Sequence, residues 1–353
     1  MASAPRAGRP VPTCIGSKRT PGLLSIIIVN LNTCDLLEKC LQSLQVSSYL
    51  AIQIIVVDNG SQDGSTTMVR ESFPNVKLVD LPKNIGFVGG NLEALPFADG
   101  EFVCFLNSDT EIEADAFRLL VDYMEQHPQV GCCEPKLLWM KDPSRLDSIG
   151  DWLTWTGMLF HRGYLQKDQG LTQPFPIFAA KGACIVLRGS LLDEIGTFDD
   201  SYFAYFEETD LCWRIWLSGY EVHFVPDARV KHLLAGTSQK LNTGFVTFHA
   251  FKNRLQSMIK NFGPIHMVRV IPIHVTICLG LTFLYLIRGD KEKARAILGA
   301  LWWNAQNIRK TIAKRRHIQG TVRKISDKEL MPFAIAPVGI RYFWSLYKEY
   351  ERV

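Results

Sequence analysis

Phe102-Val-Cys-Phe-Leu-Asn-Ser-Asp-Thr110 is the stretch on which the reading of this chain turns. Its first five residues are continuously apolar, as a strand buried on both faces requires. The acidic turn that follows delivers a carboxylate, Asp109, to the carboxyl edge of a sheet. In open α/β sheets that edge is where ligands bind. A hard divalent cation held there by few protein carboxylates takes its remaining ligands from phosphate oxygens. Asp109 is therefore the first candidate for a metal–diphosphate contact, with Asn107 and Ser108 beside it. Asn-Ser-Asp is also ordinary turn chemistry, so the motif draws its weight from what flanks it.

Upstream, residues 23–30 (LLSIIIVN) form another apolar, β-branched run that ends at Asn30. Residues 35–44 have helical spacing, 52–57 predict a second strand, a helix follows from Ser65, and 76–81 predict a third strand. Residues 86–96 read as a loop entering a short helix. Downstream, 114–126 read as a helix closed by His127-Pro128. Strands alternating with helices at short intervals imply an α/β fold with a mostly parallel, doubly wound sheet. Beyond residue 130 the pattern loosens, and 139–178 read as a long irregular connection. Order returns with a strand at 182–187, helices at 190–195 and 206–217, and a short strand at 221–225.

Several residues carry chemistry. Asp58 ends the second strand at the carboxyl edge, and Gly60 and Gly64 follow it in DNGSQDGS. Such a turn lets backbone approach a nucleotide while Asp58 bonds a base; a plain capped βα turn is the competing reading. Asn84-Ile-Gly86-Phe-Val-Gly-Gly-Asn91 is a second glycine-bearing loop. In Phe206-Glu-Glu-Thr-Asp-Leu-Cys-Trp-Arg214, three acids crowd the first turn of a helix, where its dipole stabilises them. Asp210 and Arg214 are four apart and predict a structural pair. Glu207 and Glu208 remain for chemistry, and desolvation by Phe203, Tyr205 and Phe206 would lift their pKa toward that of a usable base. His232, after a strand, can complete a metal site as a neutral imidazole; a hydrogen-bonded surface histidine is the plainer alternative.

Apolar content of 47% and charged content of 21% describe a folded chain. Charge is divided unevenly. Residues 1–22 carry four Lys/Arg and no acid, 23–248 carry 16 Lys/Arg against 29 Asp/Glu, and 249–353 carry 19 against 6. An acidic body suits metal binding, and a basic tail suits an anionic surface. The nine cysteines are odd in number and show no paired zinc spacing, so they read as reduced, buried thiols of a cytoplasmic protein. Residues 1–22 lack an apolar h-region and read as a flexible leader rather than a secretory signal.

Taken together, SIIIVNLN (25–32), VVDNGSQDGS (56–65), NIGFVGGN (84–91), FLNSDT (105–110), KGACIVLR (181–188), IGTFDDSYFAYFEETDLCWRIWLSGY (195–220) and VKHLLAGTS (230–238) resemble the family-2 glycosyltransferases of GT-A fold. The likeness is to the rhamnosyltransferase-like enzymes that build cell-surface polysaccharide. The resemblance implies that Asp58 recognises the base and that Asp109 closes a DXD-like motif holding Mg²⁺ or Mn²⁺. It implies that Glu208, where the family most often has Asp, is the base that deprotonates the acceptor hydroxyl. His232 matches a histidine that joins the metal in some relatives. Asn30, Gly60, Asn84, Gly86, Asn91, Asn107 and Ser108 fall in blocks that would contact the nucleotide sugar. The implied reaction is a single inverting displacement from a nucleoside-diphosphate sugar, dTDP-rhamnose or a UDP-sugar, to a hydroxyl of a lipid-linked or cell-surface glycan. The QxxRW signature of processive members is absent, which favours transfer of one sugar.

Residues 23–248 are thus expected to form the catalytic domain and 249–353 a helical, basic, membrane-associating region. Residues 270–287 (VIPIHVTICLGLTFLYLI) are borderline for a spanning helix, which needs about 20 apolar residues. Contact with the membrane surface at its cytoplasmic face is expected, aided by the cationic cluster at 310–324; no motif supports nucleic-acid binding. Two rivals stand beside this reading. A sugar-phosphate nucleotidyltransferase should carry an early glycine-rich, basic loop, and LLSIIIVNLNTCD offers none. A non-catalytic membrane scaffold retaining the fold would bind nucleotide without turnover.

Overall fold

Strand β1 (Thr20–Asn30) occupies the middle of a ten-stranded sheet. The computed structural model describes residues 19–233 and 242–339. Residues 1–18 of the expected leader, Cys14 among them, and residues 234–238 of the histidine motif lie outside them. After β1 come α1 (Cys34–Gln45), β2 (Ile52–Asp58), α2 (Ser65–Ser72), β3 (Lys77–Asp80), α3 (Gly86–Ala94) and β4 (Gly100–Asn107). Then follow β5 (Thr110–Ile112), α4 (Ala116–Gln126), β6 (Val130–Trp139), β7 (Leu146–Ser148), β8 (Asp151–Leu153), β9 (Leu159–His161) and β10 (Phe175–Pro176). The chain continues through β11 (Cys184–Arg188), α5 (Gly189–Ile195), α6 (Glu207–Leu217) and β12 (Glu221–His232). Five further helices close it: α7 (Thr243–Asn261), α8 (Pro264–Ile287), α9 (Lys291–Gln306), α10 (Ile308–His317) and α11 (Asp327–Ala334).

The main path of the sheet runs β10-β12-β6-β11-β4-β1-β2-β3. Parallel ladders join β1 to β2 and β4, β2 to β3, and β6 to β12; β11 runs antiparallel between β4 and β6. Alternation along the strands sends Ile27, Ile55, Val57, Val103 and Phe105 to one core, and Leu24, Ile26, Ile28, Val56 and Cys104 to the other. Cys132 and Cys133, adjacent in β6, likewise face opposite cores. The eight described cysteines are all unpaired thiols. Burying both sheet faces is why these strands read as continuous apolar runs.

Several elements differ from the sequence reading, among them β5 and β6, for which no strand was predicted. β1 begins at Thr20, because the Thr20 N–H reaches the Asp99 carbonyl at 2.8 Å. β12 continues past Pro226 to His232, because a register irregularity between Val225 and Arg229 absorbs the proline that promised to end it. Residues 139–178 hold four short strands rather than an unbroken irregular connection. Their buried side chains include Asp147, Ser148 and Asp151, so no alternation of apolar and polar residues announces them.

Candidate active site

The carboxyl ends of β1, β2 and β4 are tied together by side chains. Asp58 accepts from Asn30 Nδ2 at 3.0 Å and from the Ser61 N–H at 2.8 Å. Thr33 Oγ1 donates to Asn30 Oδ1 at 2.6 Å and lies 3.0 Å from Ser108 Oγ. A second knot joins the glycine loops. Asn59 Nδ2 donates to Asn84 Oδ1 at 3.1 Å and to the Gly86 carbonyl at 3.0 Å, and Asn59 Oδ1 accepts the Ile85 N–H. Gly60 has φ +82°, and a Cβ there would meet the Lys83 backbone at 2.8 Å. Gly86 has φ +88° and would meet the Phe203 carbonyl at 2.6 Å. Only glycine permits both approaches. Asn107 contributes its backbone, its N–H bonding the Ala183 carbonyl at 2.9 Å. Asn91 stands apart from the knot, donating to the Phe87 carbonyl within α3.

Asp109 and His232, 123 positions apart in sequence, meet because β5 pairs with the end of β12, with Thr110 opposite His232. His232 Nε2 is 3.3 Å from Asp109 Oδ1. Its Nδ1 is 2.7 Å from Asp147 Oδ2, and the Lys181 ammonium caps the other Asp147 oxygen. Burial works against charge on His232, but hydrogen bonds to Asp109 and Asp147 outweigh it and hold the imidazole pKa at about 9. The same cations hold Asp147 ionised against the cost of its own burial. A carboxylate behind the distal ring nitrogen is how metal-ligating histidines are commonly oriented. Among the described residues no set of three His, Cys, Asp or Glu converges on one point. Asp109 offers a carboxylate, and His232 would add a second ligand once its Nε2 gives up the proton it shares with Asp109; with phosphate oxygens completing the shell, such a pair would suit Mg²⁺ or Mn²⁺.

The acidic pair follows a strained turn. Tyr205 and Phe206, neither of them glycine, have φ +72° and +74°. Such conformations persist only where the surroundings impose them. Asn253 of α7 does so, donating to the Ala204 carbonyl at 2.9 Å and the Tyr205 carbonyl at 2.6 Å. The turn aims Glu207 and Glu208 inward, and one carboxylate oxygen of each is buried without a protein partner. Burial raises the Glu208 pKa to about 7; Asp151 adds to the rise, while His161 and the Gly182 N–H oppose it. Burial and then the charge of Glu208 push Glu207 well above the carboxylate range. Asp210 is taken up structurally. Arg214 Nε reaches it at 3.1 Å, and Lys260, Ser257 and Asn261 bind it as well.

A run of contacts links the Asp109–His232 pair to the acids. From Asp109 the contacts run through His232 and Asp147 to Lys181, whose neighbour Gly182 faces Glu208. A Cβ on Gly182 would sit 3.5 Å from the Glu208 carboxyl carbon. Asp151 and His161, paired at 2.8 Å across the β8–β9 hairpin, flank the same carboxyl. Glu134 braces this run by accepting the Lys181 N–H at 2.7 Å and the Gly150 N–H at 3.1 Å. Sequence reasoning did not single out Asp147, Asp151, His161, Lys181, Asn59 or Asn253. Asn59 and Lys181 lay inside recognised blocks, whereas Asp147, Asp151 and His161 lay in the stretch without periodicity.

The description "Glycosyl transferase family 2" fits residues 25–196. The chain is 25% identical over 237 residues to an N-acetylglucosaminyl-diphospho-decaprenol L-rhamnosyltransferase of Mycobacterium tuberculosis, covering 60% of this chain and 76% of that one. Among solved structures, S. aureus TarS 1-349 in complex with UDP-GlcNAc superposes with TM-score 0.57 at 15% identity, over 84% of this chain and 90% of that chain. GalNAc-T7 with UDP, GalNAc and Mn²⁺ superposes with TM-score 0.55 at 17% identity, over 67% of this chain and about half, 48%, of that one. The architecture is the GT-A fold, and residues 25–196 match the family-2 glycosyltransferases, with rhamnosyltransferases among the similar proteins.

Proposed function

We propose that this glycosyltransferase moves one sugar, with inversion, from a nucleoside-diphosphate sugar to a hydroxyl of a lipid-linked or cell-surface glycan. The carrying observation is the unbroken run of contacts from Asp109 to Glu208 just described. In this reading Asp58 binds the base, and the Asn59-bridged glycine loops bring backbone against the nucleotide. Asp109 and His232 would hold Mg²⁺ or Mn²⁺, whose charge would offset that of the leaving diphosphate. Asp147 fixes the His232 ring so that Nε2 faces Asp109. Glu208, with a pKa of about 7, is ionised in a useful fraction near neutrality and accepts the proton of the acceptor hydroxyl. The acceptor oxygen bonds to the anomeric carbon as the bond to the diphosphate oxygen breaks. Glu207, which burial and the charge of Glu208 push well above the carboxylate range, stands beside it.

The relative that acts on N-acetylglucosaminyl-diphospho-decaprenol supports a lipid-linked acceptor and dTDP-rhamnose as first donor to test, with UDP-sugars next. Such an acceptor places the enzyme at the cytoplasmic face of a membrane. A screen of dTDP-rhamnose, UDP-sugars and GDP-sugars with Mn²⁺ or Mg²⁺ tests the proposal. Transfer or slow hydrolysis of one donor is expected. Nucleotide binding with turnover of none of them would favour a scaffold instead.

A further inference from the structure

α8 is the one described helix long and apolar enough to cross a membrane, yet its surroundings suit another placement. One stripe of it is buried against protein: Val270, His274, Cys278 and Thr282, each four residues from the last. That stripe covers 12 residues, about 18 Å of helix at 1.5 Å per residue. The β8–β9 hairpin rests on it. His274 Nδ1 lies 3.1 Å from the Thr156 carbonyl, and Gly157 packs so close to Val270 that a Cβ would come within 3.3 Å. α9 returns from the helix end and packs along α8. To cross a bilayer, α8 would carry the hairpin and the charged residues of α9 into hydrocarbon, where ionised side chains are expensive.

The opposite stripe is exposed and apolar. Ile265, Val268, Ile273, Leu279, Phe283 and Leu286 recur at helical spacing from one end of α8 to the other, with Phe283 66% and Val268 68% exposed. Leu298 and Trp302, the latter 65% exposed, extend the apolar surface onto α9. A soluble monomer rarely leaves so continuous an apolar face open. Exposed cations accompany it: Arg269 in α8, Lys291 and Arg295 in α9, and Arg309 and Lys310 in α10. An apolar stripe set among cations is the pattern of a helix that lies in the plane of an anionic bilayer surface.

We propose that α8 and α9 form a monotopic docking surface for an anionic phospholipid bilayer, with α8 lying flat at the headgroup boundary and not spanning. The hairpin seated on α8 carries Asp151 and His161 beside Glu208. Docking would therefore hold the acceptor side of the pocket close to the membrane plane, a consequence that rests on the sugar-transfer reading. The docking itself does not.

The test is co-sedimentation of the full chain with phosphatidylcholine vesicles, with and without phosphatidylglycerol. Wild type is expected to bind the anionic vesicles more tightly and to release as salt rises. The double variant Phe283→Glu/Leu286→Glu is expected to lose about tenfold or more in partitioning, with unchanged circular dichroism and unchanged transfer to a water-soluble acceptor. For orientation, Lys291→Cys in sealed membrane vesicles should react with an impermeant maleimide added on the side that carries the catalytic domain. Reaction only from the opposite side would show a span and overturn the flat placement. Wild type that ignores both vesicle types, or a double variant that binds as wild type does, would overturn the docking surface. So would a double variant that breaks an oligomer on size exclusion while keeping vesicle binding, because the stripe would then face a second copy of the chain.

Discussion

At the residue scale the account turns on Glu208. A pKa of about 7 is the raised value of a buried acid, so the basic form appears as pH climbs through that value. kcat/KM is expected to rise with pH on a limb centred near 7, measured with donor and acceptor well below saturation. Linkage gives the opposite sign for stability. The folded pKa lies above the model-peptide value of about 4.3, so the neutral acid's contribution is present below that value and lost as pH rises through about 7. Glu208→Gln, which keeps the neutral shape, should therefore gain in Tm over wild type at about pH 8 and show little gain at about pH 4. A wild-type advantage at the higher pH would contradict the burial argument. Asp147 yields a separate prediction. Asp147→Asn should weaken Mn²⁺ binding about 10–100-fold, read by electron paramagnetic resonance of free Mn²⁺, because the ring of His232 loses its orienting carboxylate. Asp109, Glu207 and Glu208 were legible because each sits in a turn or helix start that apolar runs locate, and His232 because it closes a motif at the end of a strand. Asp147 and Asp151 were not, because a buried carboxylate satisfied by lysine, histidine or backbone leaves no periodic trace.

At the element scale, helix α7 and the strained turn before α6 are one device. The second half of α7 buries Lys252, Asn253, Gln256, Ser257, Lys260 and Asn261 against the 199–206 loop and its neighbours. Residue 248, the expected end of the catalytic region, falls inside this helix. Asn253→Ala would leave the Ala204 and Tyr205 carbonyls without their donor, at a cost of about 1–3 kcal/mol. The expected outcome is a lowered Tm together with a drop in kcat larger than any change in donor KM. A loss confined to KM would mean that the turn serves binding rather than the acid pair. β1 to β4 were legible, their carboxyl ends to within about one residue, since strands buried on both faces must be apolar throughout. β12 was cut short at Pro226, whose disruption a local irregularity absorbs in three dimensions. The four strands between residues 146 and 176 were invisible because each is at most three residues long and the buried ones mix Leu146 and Leu153 with Asp147, Ser148 and Asp151.

At the scale of the molecule, charge and architecture divide the labour. The acidic body carries the carboxyl edge of the sheet, and the basic helical region packs against it through α7 while leaving one apolar face open. Composition alone foretold the division of charge. It could not foretell the attitude of α8, which depends on which stripe of the helix the protein body covers. The central claim is that the metal-ligand pair and the acid pair act on one bound nucleotide sugar, and it is tested most directly by Glu208→Gln under saturating donor and Mn²⁺. Turnover is expected to fall about 10²–10⁴-fold while nucleotide-diphosphate affinity stays within about twofold of wild type. Turnover at the wild-type rate in this variant would contradict it.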